Sequence, residues 1–457
     1  MYLAAPQTVF ATHSAGAELS YVHLGGLDYE ITATFYRDCD GINEPSSVMI
    51  NYQSNSCGYL RSATAYKVPT GGQDVTFPCN ASLSACQGGN MIGITKWEYK
   101  AIVTLPAACY DWRFSYRVCC RNCSITTIHN PCQSGSELYV EATLDNVNAP
   151  SNNSPVFTND PIAFVCVGQN FNYNPGLYDV DGDSIHFELI DPKTSEFATV
   201  SWVSPASPSE PVSSSTPFIV DHVSGSMNFT PDKLQVGILT ARICEYRNGA
   251  MIGSTIRDMQ VYTQFCSNNI PTLSGINGKN KFNTGICAGN QLCFDIYSAD
   301  TDLSDSVTVI PNSNIPGMQI NVGPGPRPVV NICWTPTLAQ ARPRPYHFTL
   351  TVKDDACPSN GIQVYNYTFN VVGGNVSTGY TDVTCYGAND GTAFVNAPSW
   401  STVTWDVNPP SNNHTITDLS PGSYHVTVDM GNGGCILSDT VLINEPPPIQ
   451  PSILTSF

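Results

Sequence analysis

V-C-V-G-Q-N-F-N-Y at residues 165–173 returns as I-C-A-G-N-Q-L-C-F at 286–294. The same offset carries Asp179 onto Asp300 and Asp181 onto Asp302, and M-N-F-T-P at 227–231 returns as I-C-W-T-P at 332–336. Two copies of one unit stand in series, and strings of similar modules act by reach, display or binding. Outward from these phrases, apolar and polar residues alternate at Tyr29, Ile31, Ala33 and Phe35, and again at Leu138, Val140, Ala142 and Leu144. The pattern recurs at Tyr346, Phe348, Leu350 and Val352, and at Tyr424, Val426, Val428 and Met430. A period of two marks half-buried strands, and no stretch keeps a helical period for three turns. The expected fold is all-β, with tandem Ig-like β-sandwich modules and a disulfide-rich N-terminal β domain.

Composition fits that expectation. Only 12% of the 457 residues are charged, while 35 Gly and 34 Pro supply turns throughout. The net charge of -18 opposes phosphate backbones and anionic membrane surfaces, so nucleic acid is excluded as a natural partner. No run of eighteen apolar residues is present, and no membrane span is expected. Eighteen cysteines point to an oxidising, extracellular compartment.

Clusters of Pro, Asn, Ser and Gly at 149–155, 267–272 and 372–379 divide the chain. Residues 1–11 end in V-F-A, which looks like a signal-peptidase cleavage tail, and are read as a signal-peptide remnant. Residues 12–150 form a head with nine cysteines, 151–267 the first Ig-like copy and 268–374 the second. A smaller module spans 375–446, and 447–457 is a Pro-rich linker that would lead into another domain. A Pro/Ser insertion at 204–217 accounts for most of the extra length of the first copy.

Where the second copy has Cys293 and Cys333, the first has Asn172 and Asn228. Paired exchange signals contact, so Cys293 is expected to bond Cys333. That leaves Cys287 for Cys357, Cys166 for Cys266, and Cys385 for Cys435, the last worth about 4 kcal/mol in the chain-entropy account. Cys244 remains unpaired or meets the odd cysteine of the head. Cys119, Cys120 and Cys123 with His129 lack the two compact ligand pairs of a structural zinc site, and disulfides are the better reading.

D-V-D-G-D-S at 179–184 sets carboxylates at alternate positions around a glycine, a spacing suited to calcium. Asp179, Asp181 and Asp183 would be joined by Glu245 from a neighbouring strand. The second copy offers a looser set, Asp300, Asp302 and Asp305, with Asp354 and Asp355. The competing reading is an Asp-Gly turn with solvated acids, which is even with calcium for the first copy and preferred for the second. It is no EF-hand, because Ile190 stands where the closing Glu would be. No motif of nucleophilic, metal-hydrolase, nucleotide or dinucleotide chemistry occurs, and the chain is not expected to be an enzyme.

The phrases T-H-S-A-G-A-E-L-S-Y (12–21), F-Y-R-D-C (35–39), C-C-R-N (119–122), S-P-V-F-T-N-D-P-I-A-F-V-C-V-G-Q (154–169) and E-Y-R-N-G-A-M-I-G-S-T-I-R-D (245–258) resemble large surface proteins of Bacteroidetes. The last module, with C-Y-G-A-N-D-G-T-A at 385–393 and G-S-Y-H-V-T-V at 422–428, resembles the SprB repeat of gliding-motility adhesins. The middle copies resemble PKD-like and cadherin-like domains. The resemblance implies type IX secretion, display at the cell surface, and adhesion or gliding, with a surface polysaccharide, glycan or envelope protein as partner. It departs from that pattern at Cys244, where relatives commonly carry an acid, and at Asn172 and Asn228. Two further readings stay open: a carbohydrate-binding accessory region of a secreted polysaccharide-degrading enzyme, and a passive surface scaffold.

Overall fold

The computed structural model describes residues 14–76, 83–161, 164–358, 360–373, 376–397, 401–430 and 435–450. The expected signal remnant at 1–11 and the end of the linker, 451–457, lie outside the described residues. The described chain is built from strands, with three single-turn 3-10 segments at Ala85–Gln87, Ile276–Gly278 and Leu338–Gln340. Among the described residues, no helix is long and apolar enough to cross a membrane.

In the head, the alternating residues point one way. Tyr29, Ile31, Ala33 and Phe35 enter the same buried cluster as Leu138, Val140, Ala142 and Leu144, around Trp112, Phe114 and Tyr99. Each large apolar side chain removed from water contributes about 1.5–3 kcal/mol. Neighbouring strands follow one another from Ser14–Gly25 through Asp28–Asp38, Ile94–Thr104, Tyr59–Lys67, Ser47–Ser54 and Trp112–Val118 to Leu138–Leu144.

The circuit is then closed by a strand of the first copy. One edge of Ala250–Gln264 pairs with Leu138–Leu144 at Gly253 to Thr255 and with Ser14–Gly25 at Arg257 to Met259. Ile256 from this strand is fully buried in the head core. The boundary drawn at 150 therefore falls between strands of one sheet. An open head would leave two unpaired edges, and the borrowed strand covers both. Buried ion pairs cross the same seam: Arg121 grips Asp258 at 2.6 and 2.8 Å, and Arg257 pairs with Glu18.

The two copies share one topology. A short strand runs parallel to the last long strand in each, Phe164–Cys166 beside Ala250–Gln264 and Asn283–Cys287 beside Ile362–Val372. Their cores centre on Phe171, Phe187, Phe229 and Ile243 in the first, and on Phe294, Trp334, Phe348 and Phe369 in the second. Ile362 and Val364 of the second copy enter the core cluster of the first. Buried Gln363 accepts from the Asn172 backbone at 3.0 Å and side chain at 2.8 Å. The last module is a pair of three-stranded sheets over buried Trp405, Val426 and Val428.

Seven disulfides occur among the described residues, the chemistry of an extracellular protein. Cys166 bonds Cys266, and Cys293 bonds its cross-strand neighbour Cys333. At the matching register of the first copy, Asn228 donates to Asn172 at 2.6 Å, so an amide bridge replaces the disulfide. Two expected bonds are corrected. Cys287 joins Cys435 rather than Cys357, because the strand Asn283–Cys287 ends within the core of the last module. Cys385, expected to bond Cys435, is an exposed free thiol, and Cys244 is a buried one.

Candidate metal centres at the module joints

At the first joint, the turn after Leu177–Tyr178 and the long strand Gln235–Arg247 bring Asp179, Asp183 and Glu245 together, with one carboxylate oxygen from each within 4.8 Å of the others. Glu245 is fully buried. Gly253 makes this convergence feasible: a Cβ there would lie 2.8 Å from Glu245 Oε2 and 2.9 Å from the Tyr21 hydroxyl. Asn152 donates to Glu245 Oε2 at 2.8 Å and to the Tyr21 oxygen at 3.2 Å. Asp181, expected as a ligand, instead accepts from the Asn153 backbone at 2.7 Å and side chain at 3.0 Å.

The second joint repeats the arrangement. Asp300, Asp305 and Asp354 converge, Asn268 donates to Asp354 at 2.8 Å, and Asn269 holds Asp302 by its backbone at 2.7 Å and side chain at 3.0 Å. Asp355 accepts from the Ser306 backbone at 2.7 Å, away from the converging oxygens. Asp181, Asp302 and Asp355 bring no oxygen into either group of converging carboxylates, which are Asp179, Asp183 and Glu245 at the first joint and Asp300, Asp305 and Asp354 at the second. The looser spacing of the second copy does not prevent it from forming a cluster equivalent to the first.

Sequence reading missed the asparagines that anchor both joints. S-N-N at 151–153 and again at 267–269 was the available signal, overlooked because it also reads as a linker.

Electrostatics set what these clusters can hold. Burial, and then the charge of Asp179, pushes Glu245 up to about 9. Burial also raises Asp179, Asp300 and Asp354. Arg247 neutralises Asp183 through bonds of 2.9 and 2.5 Å, yet no donor reaches Glu245 Oε1 or Asp179 Oδ2. Asp300 Oδ2 and Asn268 Oδ1 are likewise buried acceptors without donors. Arg327 binds the carbonyls of Asp302 and Asp305. Carboxylate oxygens crowded at one point, some of them without donors, fit a hard cation: Asp179, Glu245 and Asp183 would be its ligands at the first joint, Asp183 alongside its bonds to Arg247, and Asp300, Asp305 and Asp354 at the second. Such an ion would tie each linker to the module that follows.

No protein-family model matches the sequence, and no curated protein matches it. Among solved structures, the chain is similar to the ICAM-5 D1–D4 ectodomain fragment (10% identity, 94% of this chain and 99% of that one, TM-score 0.25). It is also similar to titin domains A168–A170 (8% identity, 64% and 99%, TM-score 0.24). A third neighbour is zebrafish RET cadherin-like domains 1 to 4 (11% identity, 64% and 73%, TM-score 0.18). These are Ig-like and cadherin-like modules in series.

Proposed function

We infer that the chain is a non-enzymatic adhesive segment of an exported protein displayed at the cell surface, a stiff stalk with a head at one end. The observation that carries this reading is the continuity between modules. The head borrows a strand from the first copy, the first copy shares core residues with the second, and Cys287–Cys435 fastens the second to the last. Modules joined this way transmit tension through paired strands and a covalent bond instead of a loose linker. Cations at the two joints would stiffen it further. The resemblance of the last module to SprB repeats supports a place in gliding or surface attachment, with type IX export. The test is direct: beads coated with the intact chain are presented to cells and to surface polysaccharides under flow. Retention against shear is expected. Failure to hold any surface, or release of reducing sugar ends from the polysaccharides, overturns the reading.

A further inference from the structure

Between the shared Thr-Pro and the acid of the following strand, the second copy is longer than the first, and R-P-R-P at 342–345 falls in that stretch. The segment runs from the 3-10 turn Leu338–Gln340 to the strand Tyr346–Lys353, and with the turn of the first joint it walls a cleft of 440 Å³. That volume is within the range of about 300–1,000 Å³ usual for small-molecule sites. Pro343 and Pro345 fix alternate φ angles, and the Tyr346 hydroxyl donates to the Gln340 carbonyl at 2.9 Å, closing the segment on itself. Such support holds the two arginines in place before any ligand arrives.

The cleft carries positive charge that no acid of the fold answers. Ten Lys and Arg side chains pair with carboxylates among the described residues, yet Arg342 and Arg344 do not, in a chain with 37 acids against 19 bases. The Arg342 guanidinium lies over the Tyr346 ring, 3.7 Å from its centroid, and donates only to the carbonyls of Arg344 and Pro345, at 3.3 and 3.5 Å. A guanidinium seated on a ring keeps its edge open to an acceptor. Partial burial first, and then the charge of Arg344, hold Arg342 below its ordinary range, and the Tyr346 and Tyr178 hydroxyls offset this only in part. Arg344 donates through Nη1 to the Gly182 carbonyl across the joint, which leaves Nε and Nη2 without a partner among the described residues. The acids on the facing wall are engaged elsewhere: Asp183 is bonded by Arg247, and Asp179 accepts the Asp183 N–H at 2.7 Å and joins the joint cluster. Two adjacent guanidinium groups with open donors match a carboxylate or a sulfate. The rest of the lining is accessible and of another kind. Asn314 is exposed and Tyr178 half-buried, their side chains unbonded among the described residues, so amide and hydroxyl can each donate to and accept from sugar hydroxyls. Val223, 54% exposed, and Pro316 add apolar surface for the C–H face of a ring. The net charge of -18 resists a long polyanion, which favours a short ligand with one or two charges.

We propose that this cleft binds a short acidic saccharide, its carboxylate or sulfate held between Arg342 and Arg344 and its hydroxyls bonded by the Asn314 amide and the Tyr178 hydroxyl. The proposal rests on the adhesive reading and places recognition at the joint between the two copies. The first copy lacks the R-P-R-P segment, so there is one such site for the pair.

The test is calorimetric titration of the intact chain with oligogalacturonates, oligoglucuronates and galactose-6-sulfate disaccharides, beside neutral galactose and glucose oligomers, sodium acetate and sodium sulfate. Arg342→Gln removes the charge from a side chain bonded only within its own segment, and Val223→Trp fills the cleft from an exposed position. An acidic saccharide should bind wild type about tenfold or more tightly than its neutral counterpart, and each variant should lose that binding by about tenfold or more, with melting temperatures unchanged. Carboxylate-bearing and sulfated ligands, titrated separately, show which group the arginines take. Should Arg342→Gln unfold, Val223→Trp decides. No binding of acidic saccharides, equal binding of neutral ones, undiminished binding by Arg342→Gln, or acetate or sulfate alone binding as tightly as the saccharides overturns the proposal. Flow adhesion that survives such a result leaves the adhesive reading standing. Arg342-dependent sugar binding without adhesion removes the adhesive reading and keeps the site.

Discussion

At the residue scale, the two joints depend on carboxylates that have no full set of donors. Glu245 and Asp179 repel one another when both are ionised, and burial strengthens the repulsion. Glu245→Gln should therefore stabilise the chelated protein at pH 8 by about 1–2 kcal/mol and abolish any calcium-induced rise in melting temperature. Equal melting of wild type with calcium and with chelator would assign the pair to a shared proton instead. His347 gives a separate pH signal. Burial, only partly offset by Asp221, pushes its imidazole down to about 4, below the ordinary value of 6.5. The unfolded chain then binds more protons between those values, so stability falls as pH drops from about 6.5 toward 4. In His347→Gln the loss of stability between pH 7 and pH 4.5 should shrink by about 1–3 kcal/mol, read as a flatter melting temperature against pH.

At the scale of the element, registers explain what the sequence could and could not reveal. Strand positions were legible because a period of two survives in the letters: Phe348, Leu350 and Val352 all reach the core they predict. Cys293 and Cys333 were legible because their exchange for Asn172 and Asn228 left a trace at both ends of one contact. The partner of Cys287 was not, since its neighbour comes from a different module and no repeat copies that contact. The acid clusters were half legible. Alternate spacing marks the turn, but which acid turns inward is decided by the asparagine backbone and side chain that hold Asp181 and Asp302 outside. The shared register carries a prediction. Replacing both Asn172 and Asn228 by Cys should form a disulfide equivalent to Cys293–Cys333 and raise stability by about 2–3 kcal/mol. The same number of titrating thiols in the unreduced, denatured double variant as in wild type, with a higher melting temperature, would be the readout; two thiols more than wild type would show that the registers differ.

At the scale of the whole molecule, the unit of folding does not follow the unit of repetition. The head looks separate in sequence because its cysteines and phrases differ from those of the copies, yet its strand circuit closes only through Ala250–Gln264. Removing that strand would expose the edges of Ser14–Gly25 and Leu138–Leu144, take Ile256 from the core, and strand Arg121 and Glu18 without their buried partners Asp258 and Arg257. Breaking one buried pair by deleting a partner costs about 3–5 kcal/mol, a large part of the 5–15 kcal/mol that keeps an ordinary domain folded. Two such pairs are lost here. A fragment ending at residue 150 should consequently show no cooperative thermal transition and should aggregate through its open edges, whereas a fragment ending at 267 should melt in a single sharp transition that reports head and first copy together. Circular dichroism and calorimetry on the two fragments distinguish these outcomes, and a cooperative melt of the shorter one would show that the borrowed strand is an interface and not part of the head's own fold.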